Sequence, residues 1–169
     1  MPNSDAVHEI FVDELRDAYD FEKRLVKALK QMARSSSNPE LEAAFSSHLE
    51  ETTGHVAILE EVFELVDLKP RGKHCAGMAG IIEEGNEAID EKKDEPAVRD
   101  IALIGGARRA EHYEMAAYLI LVDLANELGY TDAAERLHEI LDQEMACDKH
   151  LAKLGKTLVT DMMRSPAHT

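Results

Sequence analysis

Apolar residues recur at steps of three and four along nearly the whole chain, with no stretch of strict alternation. That period predicts amphipathic helices and no strands. Four long helices are expected at about residues 5–34, 39–67, 96–128 and 131–160, with a shorter one at about 76–92. The breaks between them carry residues that end and restart helices. Ser35-Ser36-Ser37-Asn38-Pro39 stops the first and caps the second, and Lys69-Pro70-Arg71-Gly72 follows the second. Asp94-Glu95-Pro96 opens the third long helix, with Pro96 in its first turn. Gly129-Tyr130-Thr131-Asp132 reads as a glycine stop followed by a capping threonine. The tail from about Arg164 onward is expected to fray.

Connection lengths set the topology. The first and third links between long helices are short, which makes each of those pairs antiparallel neighbours. The second link is about 28 residues, long enough to run back along the bundle. One long crossover containing a short extra helix predicts an all-α, ferritin-like four-helix bundle, with residues 1–169 forming one domain.

Each inward stripe is interrupted by acid. The first runs Phe11, Leu15, Ala18, Glu22, Leu25, Leu29; the second runs Leu41, Ala44, His48, Glu51, His55, Ile58. The third passes from Ala107 and Ala110 to Glu114 and Ala117, with Glu111 three residues before Glu114. The fourth runs Leu137, Leu141, Glu144, Asp148, Leu151. Glu22, Glu51, Glu114 and Glu144 lie about 13–18 residues from their helix starts, so antiparallel packing brings them to one height. A single acid in a stripe ordinarily snorkels or pairs with a nearby base, and Glu111 has Arg108 three positions before it. Acids on four helices at one level are poorly explained that way. Buried carboxylates cost several kcal/mol each and repel one another. Two multivalent cations would neutralise them, and carboxylates with an imidazole suit iron, or else manganese or a mixed pair. The candidate ligands are Glu22, Glu51, His55, Glu111, Glu114, Glu144 and Asp148. His48, one turn from the site, and His112, off the stripe, are read as outside it, and Cys147 as pointing away. Tyr19 and Tyr118 are read as packing residues whose hydroxyls can reach carboxylates behind the ligands.

Composition narrows the alternatives. A formal charge of −15 opposes binding to phosphate backbones, so no nucleic-acid partner is expected. No apolar run approaches the ~18 residues of a membrane span. The first residues lack a basic region and an apolar core, so a cytoplasmic, non-membrane protein is expected. Cys75 and Cys147 form no CxxC pair, and no glycine-rich phosphate loop or GxSxG elbow occurs. The small residues Ala76, Gly77, Ala79 and Gly80 allow the crossover helix to lie close against a neighbour, and offer a dimer contact.

The stretches Asp17-Ala18-Tyr19-Asp20-Phe21-Glu22-Lys23, His48-Leu49-Glu50-Glu51-Thr52, Val98-Arg99-Asp100, Ala110-Glu111-His112-Tyr113-Glu114 and Leu128-Gly129-Tyr130 carry a wider likeness. Over nearly its whole length, to about residue 160, the chain resembles the YciF/YciE family of bacterial stress-associated, ferritin-like proteins. The resemblance implies a rubrerythrin-like bundle and a homodimer. It also implies a ligand pattern: one Glu from the first helix, matched by Glu22, and two acids from the third, matched by Glu111 and Glu114. The second and fourth helices of that pattern each supply a Glu and a His three residues later. Here Thr52 stands three before His55, leaving Glu51 at a spacing of four, and Asp148 is read in place of the last histidine.

Three functional readings stay open. The first is a dinuclear redox protein acting on peroxide, oxygen or ferrous iron, with two metals about 3.5–4 Å apart. The second is metal holding or iron buffering without turnover. The third is a metal-free dimeric structural bundle. Without a CxxC electron-transfer segment, electrons for the first would come from another molecule or from the substrate itself.

Overall fold

The computed structural model describes residues 2–164, with side chains from residue 4 onward. The expected fraying of the tail concerns residues 165–169, which lie outside the described residues. Among the described residues all regular structure is helical: α1 Pro2–Ser35, α2 Pro39–Leu65, α3 Ala76–Glu91, α4 Pro96–Glu127 and α5 Thr131–Arg164. The four long helices form a ring in which α1 packs on α2 and α4, and α5 packs on α2 and α4. The crossover carries α3 across the outside of α4 and α1. This is the ferritin-like arrangement. No described helix is long and apolar enough to cross a membrane.

The helix ends follow from local chemistry. Asn38 caps α2 by accepting the N–H groups of Glu40 at 2.9 Å and Leu41 at 3.0 Å, with Pro39 next in line. Gly129, at φ 76°, closes α4 in a Schellman turn: Tyr130 N–H reaches Ala125 O at 2.8 Å and Gly129 N–H reaches Asn126 O at 3.0 Å. Asp67, at φ 60°, ends α2 in the same way, a left-handed position that Asp tolerates better than most residues. Thr131 is the first residue of α5 and not its cap. Tyr130 takes the cap position because Phe11 and the His8 ring nitrogen, 3.0 Å from its hydroxyl, hold it there, and its carbonyl accepts Ala134 N–H at 2.9 Å.

Phe11, Leu15, Phe21, Leu41, Phe45, Leu59, Phe63, Leu103, Leu121 and Leu137 are fully buried and fill the bundle at both ends. Each contributes about 1.5–3 kcal/mol by leaving water. The crossover is fixed to α1 by Lys73 N–H to Arg16 O at 3.0 Å and Cys75 N–H to Asp20 at 2.8 Å. Gly77 lets α3 approach α4: a Cβ there would lie 2.6 Å from the Tyr113 ring.

One polar clamp holds the α1–α2 turn to α4. The buried Asp100 carboxylate accepts Ser37 N–H at 2.9 Å, Ser37 Oγ–H at 2.6 Å and Asn38 N–H at 2.8 Å. Replacing Asp100 with Ala should cost about 2–4 kcal/mol of unfolding free energy in urea titrations, because three donors lose a charged acceptor. Asp100→Asn should recover part of that loss.

Candidate metal centre

Midway along the bundle the apolar layers stop. Glu22 of α1, His48, Thr52 and His55 of α2, Glu111 and Glu114 of α4, and Glu144 of α5 are all buried, none more than 3% exposed. Inward positions at steps of three, four and seven place these side chains on the inner faces of their helices. His55 Nδ1 lies 2.9 Å from Glu144 Oε1 and 3.5 Å from Glu22 Oε2. His48 Nε2 lies 3.1 Å from Glu111 Oε1 and 3.5 Å from Glu144 Oε2. Glu144 therefore faces both imidazoles and sits between two donor groups. One group is Glu22, His55 and Glu144; the other is His48, Glu111, Glu114 and Glu144, and within each the candidate ligand atoms all lie within 4.8 Å of one another.

The outer ring nitrogens are held from behind. His55 Nε2 donates to Gln143 Oε1 at 2.8 Å, and His48 Nδ1 donates to Glu51 Oε2 at 3.2 Å. Each bond turns the opposite nitrogen toward the carboxylates, as supporting hydrogen bonds do for metal-bound histidines. Tyr118, fully buried, donates its hydroxyl to Glu22 Oε1. Tyr19 instead donates to Glu60 at 2.7 Å, away from the centre.

Five expected ligands converge here: Glu22, His55, Glu111, Glu114 and Glu144. Two do not. Glu51 is 44% exposed and orients His48 from outside, because His48, Thr52 and His55 form the inner edge of α2. Asp148 is taken by Arg108, at 2.7 and 3.3 Å, and His112, at 3.3 Å, in an α4–α5 surface contact. Arg108 is thereby engaged with Asp148, not with Glu111. His48, read from sequence as outside the site, stands among these donors, and Cys147, read as pointing away, stands beside them. Cys147 is half-buried and its sulfur joins His48 and Glu111 in a third group of atoms within 4.8 Å. The sequence signal for both was the helical step: His48 is seven before His55, and Cys147 three after Glu144.

The family model of a domain of unknown function, DUF892, matches residues 6–163. The chain belongs to that family. Within DUF892, it is 43% identical over 154 residues to Protein YciF of Escherichia coli (strain K12), spanning 90% of this chain and 92% of that protein. The crystal structure of the E. coli stress protein YciF superposes with a TM-score of 0.87 at 42% identity, covering 91% of this chain and 97% of that one. YcfI of Rhodopseudomonas palustris, provisionally described as a structural protein, superposes with a TM-score of 0.84 at 34% identity, covering 86% and 92%.

The donor set of this DUF892 chain fits cations. Six carboxylate oxygens are buried without a hydrogen-bond partner among protein atoms: Glu22 Oε2, Glu111 Oε2 and both oxygens of Glu114 and Glu144. His55 Nδ1 is likewise unpartnered, its approach to Glu144 lacking hydrogen-bond alignment. Orphans at this density are rare in protein interiors and cost about 1–3 kcal/mol each, more for charged groups. Burial raises Glu114 well above the ordinary carboxylate range and lifts Glu144 to about 7; burial also raises Glu22. Burial alone would lower His55, but Glu144 and Glu22 outweigh it and hold the imidazole up to about 10. For His48, burial is outweighed in the same sense by Cys147, Glu111 and Glu51. Without metal, the extra protons sit where cations would.

The pH dependence of the metal-free chain follows. Glu144 titrates at 4.5 when free and at about 7 in the fold, so its proton-linked stability is present below 4.5 and lost as pH rises through about 7. His55 has the same sign: stability present below 6.5 is lost as pH rises through about 10. Melting temperature in chelator should therefore fall between pH 5 and pH 9, with Glu144 alone contributing about 2–4 kcal/mol. Glu144→Gln should flatten the lower half of that slope, and saturating divalent metal should remove most of it.

Proposed function

We propose that this chain is a stress-associated dinuclear metal-binding protein, holding two iron ions, or manganese or a mixed pair, and acting on peroxide, oxygen or ferrous iron. The observation that carries the reading is the set of six unpartnered carboxylate oxygens meeting two inward-facing imidazole nitrogens in the middle of the bundle. Glu22 and His55 would hold one ion, His48, Glu111 and Glu114 the other, with Glu144 facing both. Ions so held would supply Lewis acidity and electrons to a small oxidant.

The rest of the machinery belongs to the chain itself. Tyr118 fixes the Glu22 carboxylate and keeps its own proton, since burial and then Glu22 push the phenol well above its ordinary range. Gln143 and Glu51 hold the two imidazoles in orientation. A cavity of about 30 Å³ among Leu25, Ile81, Ile82, Ala107 and Ala110 reaches His48 and Glu111. It has room for about one water-sized molecule, which limits entry from that side to small species such as peroxide or dioxygen.

The reading is tested by metal content after anaerobic loading with ferrous iron and desalting. About two ions per chain are expected, lost in the Glu22→Ala, Glu144→Ala double variant and kept in Asp148→Asn. Glu51→Ala should retain the site with affinity weakened about 10–100-fold. Peroxide consumption by the loaded chain then separates turnover from buffering. No retained metal in the parent protein would remove the redox and buffering readings together and leave the structural one, which the description of YcfI favours.

A further inference from the structure

The two donor groups that share Glu144 contain only oxygen and nitrogen, and a third group, which shares His48 and Glu111 with one of them, adds a sulfur. That sulfur belongs to Cys147 and stands with His48 and Glu111 in a set of atoms all within 4.8 Å of one another. Cys147 lies three residues beyond Glu144, on the same side of α5, the spacing at which a Glu-x-x-His motif carries its histidine. A cysteine in an apolar wall would carry no such meaning. Here its neighbour Glu111 is 1% exposed and keeps Oε2 without a partner, and His48 turns Nε2 into the same space.

We propose that Cys147 is a ligand to one of the two ions, in the half made by His48 and Glu111, so that the two halves of the centre are chemically unequal. This rests on the dinuclear reading above. Binding replaces the S–H bond with a sulfur–metal bond. The proton leaves to solvent and no electron is transferred, since bound cations deprotonate coordinating thiols. Ligand softness then sorts the metals. The sulfur half selects iron(II), cobalt(II) or zinc over magnesium, calcium or manganese, while the Glu22–His55–Glu144 half accepts the harder ion. Mixed occupancy becomes a property of the protein instead of an accident of supply.

Cobalt(II) is the probe, loaded anaerobically into the full chain, with cobalt counted per chain and the near-ultraviolet absorption recorded. The parent should bind about two ions and show an intense sulfur-to-cobalt charge-transfer band. Cys147→Ser should lose that band, keep one ion tightly and bind the second about 10–100-fold more weakly. Cys75→Ser is the control. That thiol caps α3 and lies 3.2 Å from the Tyr113 hydroxyl, so the band should persist. In the parent chain, cobalt should also protect Cys147 from alkylation, a readout that needs no substitution. Two ions per chain with no sulfur band and no protection would overturn the proposal and leave the dinuclear reading standing. No bound cobalt would overturn both.

Discussion

Everything in this structure is arranged around the cost of holding four carboxylates and two imidazoles in one buried layer. Any one of them alone would be a modest defect. Together they are a concentration of unmatched polarity that the fold can hold only by sharing protons or binding cations. Glu144 makes the difficulty clearest: it faces two histidines, and both its oxygens are left without a hydrogen-bond partner. The raised carboxyl groups and raised imidazoles are two sides of the same electrostatic compromise. A fold built only for stability would put leucine at these positions.

The surrounding structure supplies what the centre lacks. Apolar layers above and below it, from Phe11 and Phe63 at one end to Leu41 and Leu103 at the other, anchor the helices independently of the site. The ring nitrogens and Glu22 are oriented by Gln143, Glu51 and Tyr118, none of which needs to touch a metal. The crossover adds an apolar wall through Ile81 and Ile82: Gly77 makes room for Tyr113, and a Cβ at Gly106 would lie 3.9 Å from Gly85 Cα.

Much of this is legible in the sequence, for definite reasons. Proline, glycine and asparagine mark the helix ends because they alter backbone freedom directly, and the long second link dictates the crossover. Glu22, Glu114 and Glu144 stand out because a charge in an apolar stripe is a local anomaly. What the stripe does not resolve is which of two adjacent candidates turns inward. Glu51 and His48, or Asp148 and Cys147, differ by about 60–100° of helix rotation, which is within the width of an inward face. The decision is made by groups on other helices. Arg108 draws Asp148 to the surface, and the packing of α2 on α5 turns His48 and His55 inward together. The spacing of His48, Thr52 and His55 was visible, but an acid at position 51 was the more conspicuous residue.

The Asp100 clamp has a consequence for how this chain can vary in length. It joins Ser37, in the turn just past α1, to Asp100 near the start of α4. From Ser35 α1 runs back thirteen residues to Glu22 and from Asp100 α4 runs forward fourteen to Glu114, about 20 Å and about 21 Å of helix rise. The clamp is a common origin from which two helices measure the same distance. Adding or deleting one residue in either stretch would displace a carboxylate by about 1.5 Å and swing it by about 100°. A matching change in the other helix would restore the common height but not the facing, so these two segments should drift in composition far more freely than in length.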